Sequence, residues 1–202
     1  ITDVFHLTWQ HDLRCNFDCS YCVAEYHSLT EPFTTLDQLK EKWGKVFGKV
    51  SLQNKKIQLA LVGGESTANP NFLPFLQWLR ENYADFLHKV TLNTNGSANQ
   101  AYYKKLITLV DGISFSTHSE FFNEKKFFSN VLTCLRYAKG RVTITVHIMD
   151  EPWHRERIKD YIKFCEKYKI NYSIDKIHGN YTVKPIKLNP NKFDFNNVRI
   201  FY

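Results

Sequence analysis

The feature that most constrains this chain is an alternation of short β-like runs with amphipathic helical stripes. Val4–Trp9 is β-like, and Leu36, Leu39, Trp43, Val46 and Phe47 follow at helical spacing. Ile57–Val62 reads as a buried strand. Pro70 is expected to open a helix whose apolar face carries Phe72, Phe75, Leu76 and Leu79. Strand-like runs recur at Lys89–Asn93, Gly112–Thr117, Arg141–Met149 and Ile170–Ile177. Between them lie the stripes Tyr103/Leu106/Ile107/Val110, Phe128/Val131/Leu132/Leu135 and Ile158/Tyr161/Ile162/Cys165. Strands alternating with helices in this way predict an α/β fold with a parallel sheet and right-handed crossovers. Unbroken apolar runs in several strands fit a sheet covered by helices. Periodicity leaves open whether the sheet is flat and doubly wound or curled into a partial barrel. Residues 1–178 are expected to form this domain. From Gly179 the chain turns rich in Asn, Lys, Pro and Tyr, and 179–202 is expected to be an irregular tail packed on it.

The 202 residues suit one domain, and 43% apolar residues can build its core. No apolar run approaches the roughly 18–20 residues of a membrane helix, so no membrane partner is expected. The net charge of +7 admits an anionic partner such as nucleic acid. The basic residues are scattered, however, and pairs such as Lys55-Lys56, Lys104-Lys105 and Lys125-Lys126 read as solvated element ends. Of five cysteines, three lie within eight residues, an odd count that points to a reducing, cytoplasmic setting and a metal rather than to disulfides. Cys134 and Cys165 fall on apolar helical stripes and are expected in the core.

The loop after the first strand reads Cys15-Asn16-Phe17-Asp18-Cys19-Ser20-Tyr21-Cys22. Three thiolates at this spacing can bind three corners of a cubane iron–sulfur cluster and leave its fourth iron open to a small chelating ligand. A structural zinc site is the alternative. It needs a fourth ligand, for which His11 and His27 are candidates.

CNFDCSYC resembles the signature of the radical S-adenosylmethionine (radical SAM) enzymes, with Tyr21 at the aromatic position. Gly63-Gly64-Glu65 after the second strand is similar to the family's GGEP-type motif, with Ser66 where proline is usual. Asn93-Thr94-Asn95-Gly96 resembles its T/SNG segment, and Ser114–His118 the strand end that approaches ribose and methionyl carboxylate. The resemblance implies a partial (β/α)6 barrel holding one 4Fe–4S cluster on Cys15, Cys19 and Cys22. It places S-adenosylmethionine near Tyr21, Gly63, Gly64, Glu65, Asn93, Asn95, Ser116 and His118. Glycines admit close backbone approach, and a carboxylate pairs with the methionyl ammonium. His147, at the end of the fifth strand, is expected to be packed in the barrel rather than to face adenine.

The activity so implied begins with reduction of the cluster by a donor such as flavodoxin or ferredoxin. S-adenosylmethionine is then cleaved, and a 5′-deoxyadenosyl radical takes a hydrogen atom from a peptide or small metabolite. Asp12, Glu25, Tyr26, His27, Arg155, Tyr181 and Tyr202 are substrate-side candidates among which the sequence does not choose. Alternatives are a glycyl-radical-enzyme activase, an RNA or nucleobase modifier and, outside enzymology, a zinc- or cluster-stabilised binding module.

Overall fold

In the computed structural model the fold is described for residues 4–22 and 27–177. The tail 179–202, with Tyr181 and Tyr202, lies outside these residues, as do Glu25 and Tyr26. The strands are β1 (Val4–Asp12), β2 (Lys56–Gly63), β3 (Leu87–Thr94), β4 (Gly112–Thr117), β5 (Thr143–Asp150) and β6 (Asn171–Lys176). The helices between them are α1 (Leu36–Val50), α2 (Phe72–Tyr83), α3 (Gln100–Leu106), α4 (Glu124–Ala138) and α5 (Arg155–Lys167).

All pairings are parallel, and the spatial order β1-β2-β3-β4-β5-β6 is the chain order. This order decides between the two architectures the periodicity allowed. Right-handed crossovers that always step the same way put every helix on the same face, whereas a doubly wound sheet must reverse direction once. The sheet is therefore a partial (β/α)6 barrel with helices on its outer face.

Burial follows that geometry. In β2 and β5, outward residues are buried and inward ones half-exposed. Leu59, Leu61, Val90, Leu92, Phe115, Val146 and Ile148 all lie under the helices at 1% exposure or less. Leu39 and Trp43 of α1 meet them, and Trp43 packs against Trp9 at 5.6 Å between ring centroids. Cys134 and Cys165 are buried in this layer, as expected.

Local chemistry sets the helix starts. Thr35 caps α1 in a reciprocal box with Gln38. Asn99 and Asn123 cap α3 and α4 through their side chains. Pro70 does not open α2: the helix begins at Phe72 behind Asn71, because Asn69 takes the amides of this turn.

Candidate active site

The cysteine loop begins where β1 ends. Its neck is closed by Cys15 N–H donating to Ser28 O at 2.9 Å and Ser28 N–H donating to Leu13 O at 2.8 Å. Gly64 N–H donates to Asp12 O at 3.0 Å and Glu65 N–H to Arg14 O at 2.8 Å, carrying the β1–β2 ladder into the loop. A Cβ on Gly63 would lie 2.2 Å from Asp12 O, and one on Gly64 2.2 Å from Arg14 O. Gly63 also has φ +141°, which side chains resist. The two glycines thus do a job besides the one the sequence suggested. The backbone they admit is that of the cysteine loop, although both still line the cavity beside it.

Glu65 is 2% exposed and organises this floor. Its Oε1 accepts from Thr67 N–H (2.9 Å), Thr67 Oγ1 (2.6 Å) and Thr94 Oγ1 (2.8 Å). Among the described residues its Oε2 accepts only from Asn95 N–H, at 2.6 Å. Burial raises its pKa despite these donors, a tension that a bound cation would relieve.

Three other strand ends hold the loop from the sides. Asn95 Nδ2 donates to Asn16 Oδ1 at 2.9 Å, and Asn16 Nδ2 donates to Ser97 Oγ at 2.9 Å. Glu120, after β4, accepts from Ser20 N–H at 2.6 Å and from Ser20 Oγ at 2.5 Å. The Tyr21 hydroxyl lies 2.7 Å from His118 Nδ1 and donates to Glu151 Oε1 at 2.6 Å. Its ring stacks on His118 at 5.9 Å and leans on Trp153 at 6.3 Å, forming an aromatic wall.

Between these anchors opens a cavity of about 300 Å³. Cys15, Cys19 and Cys22 line it together with Gly63, Gly64, Glu65, Asn93, Asn95, Ser116, His118 and Tyr21. One pocket therefore gathers every residue expected to hold cluster or S-adenosylmethionine. The donor set is three thiols, none in a disulfide. That is the soft sulfur set an iron–sulfur cluster takes, with no fourth protein ligand required at the open iron. Burial pushes the Cys15 thiol up to about 11 and Cys19 higher still, with Glu120 adding to the latter. Metal binding must therefore release protons here. Among the described residues no three His, Cys, Asp or Glu side chains converge to hold a single metal ion. Of the two zinc candidates, only His27 lines the cavity with the cysteines. His11 is buried, with Nε2 on Ser66 Oγ at 2.9 Å and its ring stacked on Phe72, and His27 Nε2 donates to Phe17 O at 2.6 Å.

The remaining expectations divide. Ser116 and Asn93 line the cavity, and their side chains make no hydrogen bond to another described residue. Asn95 is a loop fastener, since its Oδ1 also accepts from Ser97 N–H. Asp12 lies outside the cavity and accepts from Asn69, Thr34 and Arg14. Arg155 pairs with Asp150 at 2.8 Å on the surface. His147 is not packed away: its side chain is 30% exposed and bonds Asp175 at 2.7 Å and Ser173 at 2.9 Å. Glu120 and Glu151 escaped the sequence reading. Both sit just past strand C-termini, where the rule that found Asn95 and His118 would also have found them.

No protein-family model matches the sequence, and no curated protein matches it by sequence. Comparison of folds is informative. Streptococcus suis SuiB bound to its precursor peptide SuiA superposes with a TM-score of 0.62 at 15% identity, over 88% of this chain and 40% of SuiB. The fold is the radical SAM fold. anSMEcpe with bound AdoMet matches with a TM-score of 0.54 at 17% identity over 90% of this chain and 54% of its own. BtrN in complex with AdoMet and 2-DOIA matches with a TM-score of 0.52 at 15% identity, over 90% and 72%. The chain spans about two fifths of the SuiB chain it resembles.

Proposed function

We propose that the chain is a radical SAM enzyme working in the reducing cytoplasm. The observation that carries the reading is the meeting of Cys15, Cys19 and Cys22 with Glu65, Asn93, Ser116 and His118 in one cavity at the C-terminal end of a parallel sheet. Cys15, Cys19 and Cys22 hold a 4Fe–4S cluster, and Glu65 Oε2 receives the methionyl ammonium of S-adenosylmethionine. When bound and reduced by flavodoxin or ferredoxin, this pair supplies the 5′-deoxyadenosyl radical that takes a hydrogen atom from substrate. The chain's own residues position and shelter. Gly63 and Gly64 seat the cysteine loop, Glu120 fastens it, and the stacked rings of Tyr21 and His118 offer an aromatic wall for the purine. Asn93 and Ser116 present unengaged polar groups to ribose or carboxylate.

The substrate is a polar peptide or small metabolite. A precursor peptide accompanies one of the similar proteins and 2-DOIA another. The half-exposed polar inner face of the sheet suits such a molecule better than a lipid.

The test is anaerobic reconstitution with iron and sulfide, followed by dithionite, S-adenosylmethionine and chromatography for 5′-deoxyadenosine. About four irons per chain and product from wild type, with neither from Cys19→Ala, is the expected result. Zinc in place of iron, or equal product from Cys19→Ala, rejects the assignment.

A further inference from the structure

Glu151 is a carboxylate at 1% exposure, immediately after β5, to which the chemistry above gives no role. Both of its oxygens accept from Ser119 N–H at 3.0 Å. Oε1 also accepts from the Tyr21 hydroxyl. A phenol has one proton. Burial raises the Glu151 pKa to about 7, so at pH 8 it is ionised and takes that proton in a hydrogen bond, and the Tyr21 oxygen then faces His118 Nδ1 at 2.7 Å only as an acceptor. Nδ1 must then carry the imidazole's hydrogen. Burial keeps the ring neutral by holding its pKa down to about 4, so Nε2 is bare. No described residue hydrogen-bonds Nε2, and it is not among the buried polar atoms left without partners. The ring itself lines the cavity.

We propose that Glu151 is a positioning residue: through Tyr21 it fixes His118 as the Nδ1–H tautomer, so that Nε2 accepts a hydrogen bond from a donor group of a bound nucleoside. The nucleoside rests on the function proposed above, whereas the tautomer depends only on the protein. The chain Glu151–Tyr21–His118 joins the cysteine loop to the ends of β4 and β5, so the acceptor and the thiols are set by the same contacts. Two nucleoside groups have the required chemistry, the exocyclic amine of adenine and the ribose hydroxyls. A 6-oxo purine would set lone pair against lone pair if the amine is the partner.

The first measurement is the ¹⁵N spectrum of the full chain labelled at histidine, at pH 8, before and after cluster reconstitution. Wild type is expected to show His118 with hydrogen on Nδ1. Glu151→Gln, whose amide can donate to Tyr21, and Tyr21→Phe, which removes only the hydroxyl, should shift the population towards Nε2–H. A carboxylate with a merely structural role would leave the tautomer where it was. The second measurement is calorimetric binding of S-adenosylhomocysteine to the reconstituted chain, with its inosine form and a form lacking ribose hydroxyls as arms. Loss of one such bond weakens binding about tenfold. The inosine arm alone weakened in wild type, and no longer distinguished by Glu151→Gln, identifies the amine; the same pattern in the other arm identifies a hydroxyl. A wild-type His118 on Nε2–H, a tautomer unmoved in both variants, or equal discrimination in wild type and Glu151→Gln overturns the proposal. Absence of 5′-deoxyadenosine with the tautomer intact would count against the enzyme reading and leave the Glu151 assignment of the tautomer standing.

Discussion

The two faces of the sheet are built from the same six strands and have opposite chemistry. Outward positions are mainly Leu, Ile, Val and Phe, sealed by helices. The inward positions in register across the strands include the polar Thr8, Gln58, Thr91, Asn93, Ser114, Ser116, Thr145, His147, Ser173 and Asp175, all half-buried or exposed, with Ala60, Val62 and Met149 as apolar members among them. Parallel sheets usually bury both faces in apolar material. Here only the outer face follows that rule, which assigns stability to one side and ligand binding to the other. An inner face rich in hydroxyls and amides, with an imidazole–carboxylate pair at His147 and Asp175, offers hydrogen-bonding groups that the outer face lacks.

The sharpest way to break this division is to truncate neighbours in one strand. Phe115→Ala removes a ring at 0% exposure that touches Tyr103 and Phe127, and should lower unfolding free energy by about 3–5 kcal/mol in denaturant titration. Equal losses at Phe115 and at the adjacent inward Ser116 would refute the division.

Next in size is Gly64→Ala. Its Cβ collides with backbone rather than with a movable side chain, so Arg14 and the loop beyond must shift. A loss of about 1–3 kcal/mol is expected, with a larger proportional fall in iron retained after reconstitution. Undiminished iron would show that the glycine pair does not seat the loop.

His11 interrupts the apolar outer face and sharpens the contrast through pH. Burial holds its pKa down to about 4 against an unfolded value of 6.5. The unfolded chain therefore binds the proton first, and stability conferred by the neutral ring is lost as pH falls from 6.5 towards 4. Thermal unfolding across that window should show a shallower decline for His11→Phe than for wild type. Parallel declines would mean that His11 is not the group responsible.

Smallest of all is Ser116→Ala, expected within about 0.5 kcal/mol of wild type in stability. Its effect should appear instead as weaker S-adenosylmethionine binding by calorimetry.

Much of this organisation was legible in the sequence because apolar spacing records which side of a strand meets a helix. β4 has the bounds its pattern gave, Gly112–Thr117. The grouping of Cys15, Cys19 and Cys22 was legible because their spacing is local. Interactions between distant residues left no such trace. Asp12 looked like a substrate-side carboxylate until Asn69 and Thr34 were brought against it. The function of the Gly63-Gly64 pair depended on the β1–β2 register, which no single segment contains. Glu151 lies beyond the last residue of the β5 pattern, so periodicity had stopped pointing before reaching it. His147 was misjudged because its partners come from β6, and a strand read alone does not reveal its neighbour.

The anchoring of the cysteine loop also bears on the order of events during synthesis. Tyr21 is fastened by Glu151, 130 positions later in the chain. At about 5–20 residues per second, translation separates the two by roughly 6–26 s. Throughout that interval the thiols are on the nascent polypeptide while part of their framework has yet to be made. On the function proposed above, iron delivery would be coupled to completion of the sheet, and a ribosome stalled before β5 would expose the three thiols without the pocket that shields them.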